Sequence, residues 1–181
     1  MDRQVRRPAP RGFTMIEVLV VLGIMGIFLV VSYPSIMNTM SVRNLENATR
    51  EIQTFLQQTK VQAVNTRVAH RVRFYHLGGG AAWAYQMESL QEDGTTWASA
   101  HQGPPKTISL RFNVTIALPI DTTTGDPVAV FSSLGMFPQY TVGQNSIALQ
   151  SPKLLRQGQD DERVLSMYMG GSIQYVKRKS V

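Results

Sequence analysis

The chain contains no cysteine, so neither a disulfide bond nor a thiolate metal site can form. Charged residues are also scarce, at 17% of 181 positions, while apolar residues make up 43%. This balance is typical of a globular protein and argues against wholesale disorder. The length suits one modest domain with an additional segment.

The sequence also lacks the motifs that most catalytic and metal sites need. His70, His76 and His101 belong to no HExxH pattern. On an extended strand, His70 and His76 would lie about 20 Å apart, too far to share an ion. The glycines at 78–80 are not followed by the Gly-Lys-Ser/Thr of a phosphate loop, and there is no G-x-S-x-G nucleophile elbow. We therefore expect no enzymatic activity, no cofactor and no metal.

Two other groups of residues have alternative interpretations. Several acidic residues are predicted to lie in loops, which leaves a Ca²⁺ site as an alternative, although the EF-hand spacing is absent. These residues are Asp121, Asp126, Asp160, Asp161 and Glu162. The aromatic residues Trp83, Tyr85, Trp97 and Phe112 are interpreted as core residues rather than as a ligand-binding surface.

Positive charge is distributed unevenly along the chain. The formal net charge is +6, and residues 1–12 carry four arginines against Asp2, which is half of it. The high isoelectric point is therefore partly an effect of residues 1–12, and it says little about the ligands of the remaining 169 residues.

Residues 13–31 form an apolar run in which Glu17 is the single charge. As a helix this run is about 28 Å long, close to the roughly 30 Å hydrocarbon core of a bilayer. Arginines precede it, and the first charge after it is Arg43. The positive-inside rule then predicts a single-pass membrane protein with its N-terminus in the cytoplasm and the remainder across the membrane.

An ordinary secretory signal is the alternative for this run. That interpretation requires a small-x-small cleavage site after the apolar residues, but the sequence there is Ser-Tyr-Pro-Ser at 32–35. It also leaves Glu17 unexplained, since a carboxylate at membrane depth costs roughly 2.5–3.5 kcal/mol on insertion scales.

Residues 11–22, Arg-Gly-Phe-Thr-Met-Ile-Glu-Val-Leu-Val-Val-Leu, resemble the prepilin peptidase site of type IV pilins and type II secretion pseudopilins. The resemblance implies cleavage by prepilin peptidase after Gly12 and N-methylation of Phe13. Glu17 then becomes the fifth mature residue, the position of that family's buried carboxylate. Pro34 becomes the twenty-second, where many members carry a helix-kinking proline.

The chemistry of these residue types fits the roles that the resemblance implies. A glycine at position 12 lets an extended peptide enter a narrow protease site. A buried carboxylate needs a cationic partner, and the family's partner for Glu17 is the ammonium of Phe13 on a neighbouring subunit. Glu17 is therefore expected to act in filament assembly.

After Pro34, apolar residues recur at helical spacing from Leu45 to Ala63, which predicts one buried stripe on a helix. We predict a helix over 13–65 with a bend or local break near 32–35, since proline removes a backbone hydrogen bond. The expected divisions are a leader at 1–12, a transmembrane and filament-core helix at 13–34, an amphipathic helix at 35–66 and a β-rich periplasmic head at 67–181.

Beyond Thr66 the sequence predicts short strands separated by turns, with hairpins at 78–80 and 170–171. The predicted strands are 69–77, 82–90, 107–118, 128–131, 146–150, 164–169 and 172–178. The fold class is therefore α+β, a pilin-like lollipop in which a long helix packs on an antiparallel β-rich head.

The head resembles the GspH/FimT-type minor pseudopilins in four features: Thr66-Arg67-Val68 after the helix, a strand bearing Trp83, Phe-Ser-Ser-Leu-Gly at 131–135 and a final Gly-Gly-Ser-Ile-Gln-Tyr hairpin. Many major pilins close a C-terminal loop with a disulfide, which this chain cannot form. The resemblance implies a minor structural subunit of a type II secretion pseudopilus or a type IV pilus, with other pilin subunits as partners.

The basic tail Lys177-Arg178-Lys179 leaves an alternative function open. Some FimT-like minor pilins bind extracellular DNA for natural transformation through C-terminal basic residues, and this tail approximates their motif. Additional positive charge would come from four arginines if they share a face with the tail: Arg67, Arg71, Arg73 and Arg111. The simpler interpretation is a solvated charged terminus.

Overall fold

A computed structural model of the protein describes residues 13–100 and 103–180. The predicted leader with Gly12, and His101, lie outside these described residues. The described chain falls into two compact units, one ending at Thr39 and the other beginning at Met40.

The helix predicted from the apolar pattern is present as α1, Met15–Thr66. The helix continues through Pro34 without a break at 32–35. A bend at this point stays a prediction. The helix ends where Arg67 adopts a left-handed φ of 58°. Among the described residues, no helix is both long and apolar enough to cross a membrane.

The first sheet follows the helix and is antiparallel. It contains β1 (His70–His76), β2 (Trp83–Leu90), β3 (Trp97–Ser99), β4 (Lys106–Thr107) and β6 (Val128–Phe131). The order is β3-β2-β1-β6, with β4 also paired to β2. A 3₁₀ turn, Leu77–Gly79, joins β1 to β2, in agreement with the hairpin predicted at the glycines.

The second sheet is also antiparallel, with the order β5-β7-β8-β9. Its strands are β5 (Asn113–Ala117), β7 (Ser146–Gln150), β8 (Glu162–Met167) and β9 (Ile173–Arg178). The connection between β7 and β8 contains a short helix, α2 (Pro152–Arg156).

The core lies between the helix and the two sheets. The predicted stripe on α1 is buried, including Leu45, Ile52 and Leu56. Phe55 of the same stripe meets Tyr85 of the first sheet edge-on, with ring centroids 5.0 Å apart. The second sheet adds buried apolar residues to the same cluster, among them Ile147, Leu149 and Leu165. The α+β class is thereby confirmed.

Two local predictions were wrong, and one strand was not predicted. The single strand predicted over 107–118 is divided between β4 and β5, which belong to different sheets. A turn closed by the Phe112 N–H donating to the Ser109 carbonyl separates them. Helix α2 lies in the segment 151–161, which was predicted as a loop, and β3 lies in a segment to which no element was assigned. Each is too short to show a periodicity.

Candidate functional site

The N-terminal motif residues lie at the start of α1. The Glu17 N–H donates to the Thr14 hydroxyl over 3.3 Å and to the Thr14 carbonyl over 3.1 Å. Thr14 therefore acts as the N-cap, and Thr-Met-Ile-Glu is a Thr-x-x-Glu capping sequence. The carboxylate of Glu17 occupies the first helical turn, where the helix dipole favours negative charge.

The large apolar side chains of residues 13–30 are exposed to solvent. Their exposed fractions range from 45% for Val21 to 91% for Met15. Exposed apolar surface of this extent marks a membrane or protein contact. A shallow pocket of about 290 Å³ on this surface is lined by Phe13, Glu17, Val18, Val21 and Leu22.

Glu17 is the one ionisable group lining that apolar pocket. The ion pairs formed within the described residues do not include it. A carboxylate that becomes buried on such a surface requires a cation from elsewhere. Glu17 and Phe13 were predictable from the motif, whereas the role of Thr14 was not predicted, although its signal was the Thr-x-x-Glu capping sequence.

The basic tail at the end of β9 has acidic neighbours. Lys177 contacts the carboxylate of Glu46 on α1, and Arg178 contacts that of Glu162 on β8. The hydrogen bond from Lys177 lowers the pKa of Glu46, and the hydrogen bond to Glu162 raises the pKa of Arg178. Two of the three tail cations are therefore already paired.

Two of the four additional arginines are also neutralised, at the first sheet. Buried Arg71 lies 2.7 Å from Glu88 and 2.9 Å from Asp121, and its guanidinium lies over the ring of Trp97 at 4.4 Å. Arg73 lies 2.9 Å from Glu88 and 3.2 Å from Asp126. These arginines belong to an ion-pair network of the first sheet, whereas the tail belongs to the second.

Four of the five acidic residues considered for Ca²⁺ have other side-chain partners. Asp121 and Asp126 bind arginines, and Glu162 binds Arg178. Burial alone would raise the pKa of Asp121, but hydrogen bonds from Thr123 and the charge of Arg71 outweigh it and lower the pKa. No group of three or more metal-ligating residues occurs within 13–100 and 103–180.

Asp161 is fully buried and binds Ser180, which lies two residues after β9. Its carboxylate accepts hydrogen bonds from the Ser180 hydroxyl at 2.6 Å, the Ser180 N–H at 2.9 Å and the Gln150 amide at 2.9 Å. Burial would raise the pKa of Asp161, but these hydrogen bonds prevail and lower it.

The two described histidines make local contacts. His70 is buried, and its Nδ1 lies 2.9 Å from the Val68 carbonyl. His76 is exposed and packs against Trp83, with ring centroids 3.9 Å apart. Both contacts are those of surface or hydrogen-bonded histidines.

Comparison with known proteins places one family motif in the chain. Residues 7–33 match the family model described as the prokaryotic N-terminal methylation motif. No curated protein sequence matches the chain.

Two crystal forms of the type IV minor pilin FimU from Pseudomonas aeruginosa strain PAO1 are similar in structure. One is 18% identical, with 76% of this chain and 92% of that chain covered and a TM-score of 0.43. The other is 18% identical, with 72% and 91% covered and a TM-score of 0.41.

Proposed function

We propose that this chain, which carries the prokaryotic N-terminal methylation motif, is a minor pilin or pseudopilin. It serves as a structural subunit of a type IV pilus or a type II secretion pseudopilus. Prepilin peptidase removes residues 1–12 at the bond between Gly12 and Phe13, and Phe13 is then N-methylated.

The observation that carries this proposal is the start of α1. The helix is capped by Thr14, two residues after the proposed cleavage site, so the mature N-terminus leads directly into it. Its exposed apolar side chains surround one carboxylate, Glu17. This is the arrangement that a subunit needs if its N-terminal helix is buried among neighbours and its carboxylate meets a neighbour's ammonium.

We propose from the sequence, although no described helix is long and apolar enough to cross a membrane, that this segment anchors the unassembled subunit in the inner membrane. The support is the methylation motif and the apolar sequence of residues 13–31, preceded by four arginines. The positive-inside rule then gives a cytoplasmic N-terminus and a periplasmic head. On assembly the subunit leaves the membrane for the filament.

The features shared with GspH/FimT-type proteins favour a minor subunit within this class. DNA binding through Lys177, Arg178 and Lys179 is a second proposal and has weaker support, because Lys177 and Arg178 are held by Glu46 and Glu162. The first proposal requires neither DNA nor catalysis.

Co-expression with a prepilin peptidase tests the proposal. Intact-mass analysis of the detergent-extracted protein should find a chain that begins at Phe13 and carries one added methyl group. A Gly12→Val variant should stay uncleaved, because the added side chain obstructs the peptide in the protease site.

A Gly23→Val variant is the matched control, since a Cβ at Gly23 meets nothing within 4 Å and the residue lies beyond the cleavage site. It should be processed like the wild type. Retention of Met1 in the wild-type protein, or a cut after residue 35, would contradict the proposal.

A further inference from the structure

A second pocket lies in the unit that begins at Met40. It has a volume of about 280 Å³ and is formed by three segments. Helix α1 contributes two polar residues, the turn between β4 and β5 two residues, and the start of α2 two residues. In chain order they are Ser41, Asn44, Arg111, Phe112, Ser151 and Lys153.

The charge of this pocket differs from that of the other basic regions. Arg111 and Lys153 line it, and no carboxylate does. Within the part of the chain that the structure describes, neither cation belongs to an ion pair, whereas Arg71, Arg73, Lys177 and Arg178 all do. The pocket is therefore an uncompensated cationic site.

Ser151 adds a hydroxyl group to the lining of the same pocket. The residue is 5% exposed, yet its side chain does not cap α2. No other hydrogen bond of its hydroxyl occurs among the described residues, although its backbone N–H donates to the Asp161 carbonyl. The hydroxyl therefore has a donor and an acceptor to offer to a molecule in the pocket.

We propose that this pocket binds a phosphate group. The guanidinium of Arg111, the ammonium of Lys153, the hydroxyl of Ser151 and the amide of Asn44 offer more donors than the two oxygens of a carboxylate can use. A phosphate has enough acceptor oxygens and binds strongly to such charged donors. The half-buried ring of Phe112 forms an apolar wall that suits the organic part of a phosphate ester.

Two sources could present this phosphate to the protein. One is a small soluble phosphate ester, and the other is the headgroup of an anionic phospholipid. The lipid source rests on the proposed function, because it requires a membrane-anchored subunit. The soluble source is independent of it.

The test uses the full chain in non-ionic detergent with calorimetric titrations of inorganic phosphate and of glycerol 3-phosphate. A separate arm measures co-sedimentation with phosphatidylglycerol vesicles, using phosphatidylcholine vesicles as the control. The wild type should bind the soluble phosphates, and Arg111→Gln/Lys153→Gln should bind them at least about tenfold more weakly. Preference for phosphatidylglycerol that the same pair abolishes would identify the lipid source.

The matched control is Arg156→Gln/Lys179→Gln, which removes one arginine and one lysine that are exposed and lie outside the pocket lining. Its phosphate affinity should stay within about twofold of the wild type, since both variants change the net charge equally. Ser151→Ala should lose several-fold in affinity with an unchanged circular dichroism spectrum.

Equal affinity of the pocket variant and the control variant would overturn the proposal, as would absence of phosphate binding by the wild type. Binding of duplex DNA that needs Arg111 and Lys153, without binding of either phosphate or vesicles, would also overturn it in favour of a nucleic-acid surface. Failure of cleavage at Gly12 would refute the pilin proposal while leaving the phosphate titrations intact.

Discussion

Glu17 can contribute both to the capping of α1 and to an ion pair in an assembly. It completes the capping sequence that begins at Thr14, and its negative charge is favoured by the helix dipole. It also lies on an apolar surface where burial in an assembly would demand a cationic partner. Substitutions at the two positions separate these roles, because Thr14 contributes to capping alone.

We expect Glu17→Val to leave cleavage intact and to reduce incorporation into filaments. Replacement of a carboxylate by an apolar side chain eases membrane insertion, so the amount of membrane-bound protein should not fall. Quantitative immunoblots of sheared filaments and of the membrane fraction measure both effects. Thr14→Ala is the control and should assemble, since it removes a capping bond of about 1 kcal/mol and keeps the carboxylate. Equal assembly of Glu17→Val and wild type would refute the pairing role.

Asp161 makes the stability of the head depend on pH. Its pKa is lowered in the folded protein, so its contribution is fully present above the unfolded value near 3.9 and is lost as the pH falls through the folded pKa. Asp161→Asn should lower the free energy of unfolding at pH 7 by about 1.5–3 kcal/mol and flatten the decline below pH about 4. Urea titrations followed by tryptophan fluorescence measure this.

The matched variant is Asp160→Asn, which changes the adjacent, exposed carboxylate. It should keep the wild-type dependence on pH. An Asp161→Asn protein that loses stability in acid as steeply as the wild type would show that the anchoring of Ser180 does not titrate in this way.

At the scale of elements, α1, the β8–β9 turn and the β6–β7 connection meet at Gly171. The Lys60 ammonium on α1 donates to the Gly171 carbonyl in the β8–β9 turn over 2.9 Å. Gly171 has a φ of 73°, and a Cβ there would lie 1.9 Å from the carbonyl oxygen of Gly135 in the β6–β7 connection. Glycine is required at position 171 both for the backbone conformation and for this close approach.

Gly171→Ala should therefore destabilise the head by about 2–5 kcal/mol, the sum of left-handed strain and a clash with backbone. Gly170→Ala is the control, because a Cβ at Gly170 meets nothing within 4 Å, and it should change stability by less than about 1 kcal/mol. Thermal melts followed by circular dichroism compare the two. Similar melting temperatures for both variants would contradict the proposed packing of the glycines.

The predictability of each element follows from its length and its surroundings. The helix was predictable because its apolar stripe repeats over several turns, and β1, β2, β6 and β7 because alternating or apolar runs lie between clear turn residues. The division of the run at 107–118 could not be predicted from its residues. The turn between Ser109 and Phe112 forms because β4 and β5 belong to different sheets, which is a property of the folded chain. Short elements such as β3 have too few residues to show a period.

Across the whole molecule, the distribution of charge departs from the simple count of basic residues. Of the tail cations, Lys177 and Arg178 are paired, whereas Lys179 forms no ion pair with the residues that the structure describes. Such pairings join residues far apart in the chain, so the sequence could identify the tail but not its neutralisation. The phosphate pocket was missed for the same reason, since Arg111 and Lys153 come together with Ser151 only in the folded chain.

We expect the tail to contribute about one phosphate contact to any duplex DNA binding, rather than three. The slope of log K against log salt should then change by about 0.9 between the wild type and a Lys177→Gln/Arg178→Gln/Lys179→Gln variant, not by about 2.7. Fluorescence anisotropy of labelled duplex between 50 and 200 mM salt, with Lys179→Gln as the matched single variant, gives these slopes. A difference near 2.7 would mean that DNA displaces Glu46 and Glu162.

The contact between Glu46 and Lys177 spans 131 residues and has a consequence for the timing of folding. Strand β9 pairs with β8 and carries Lys177, so the second sheet and its contact with α1 are incomplete until β9 has been synthesised. Contacts of such high sequence separation form slowly, because the entropy of closing the loop is paid before they stabilise the chain. We therefore expect the emerging polypeptide to remain protease-sensitive until β9 has been synthesised, and ribosome-stalled chains that stop before Ile173 to be degraded while chains that include β9 survive.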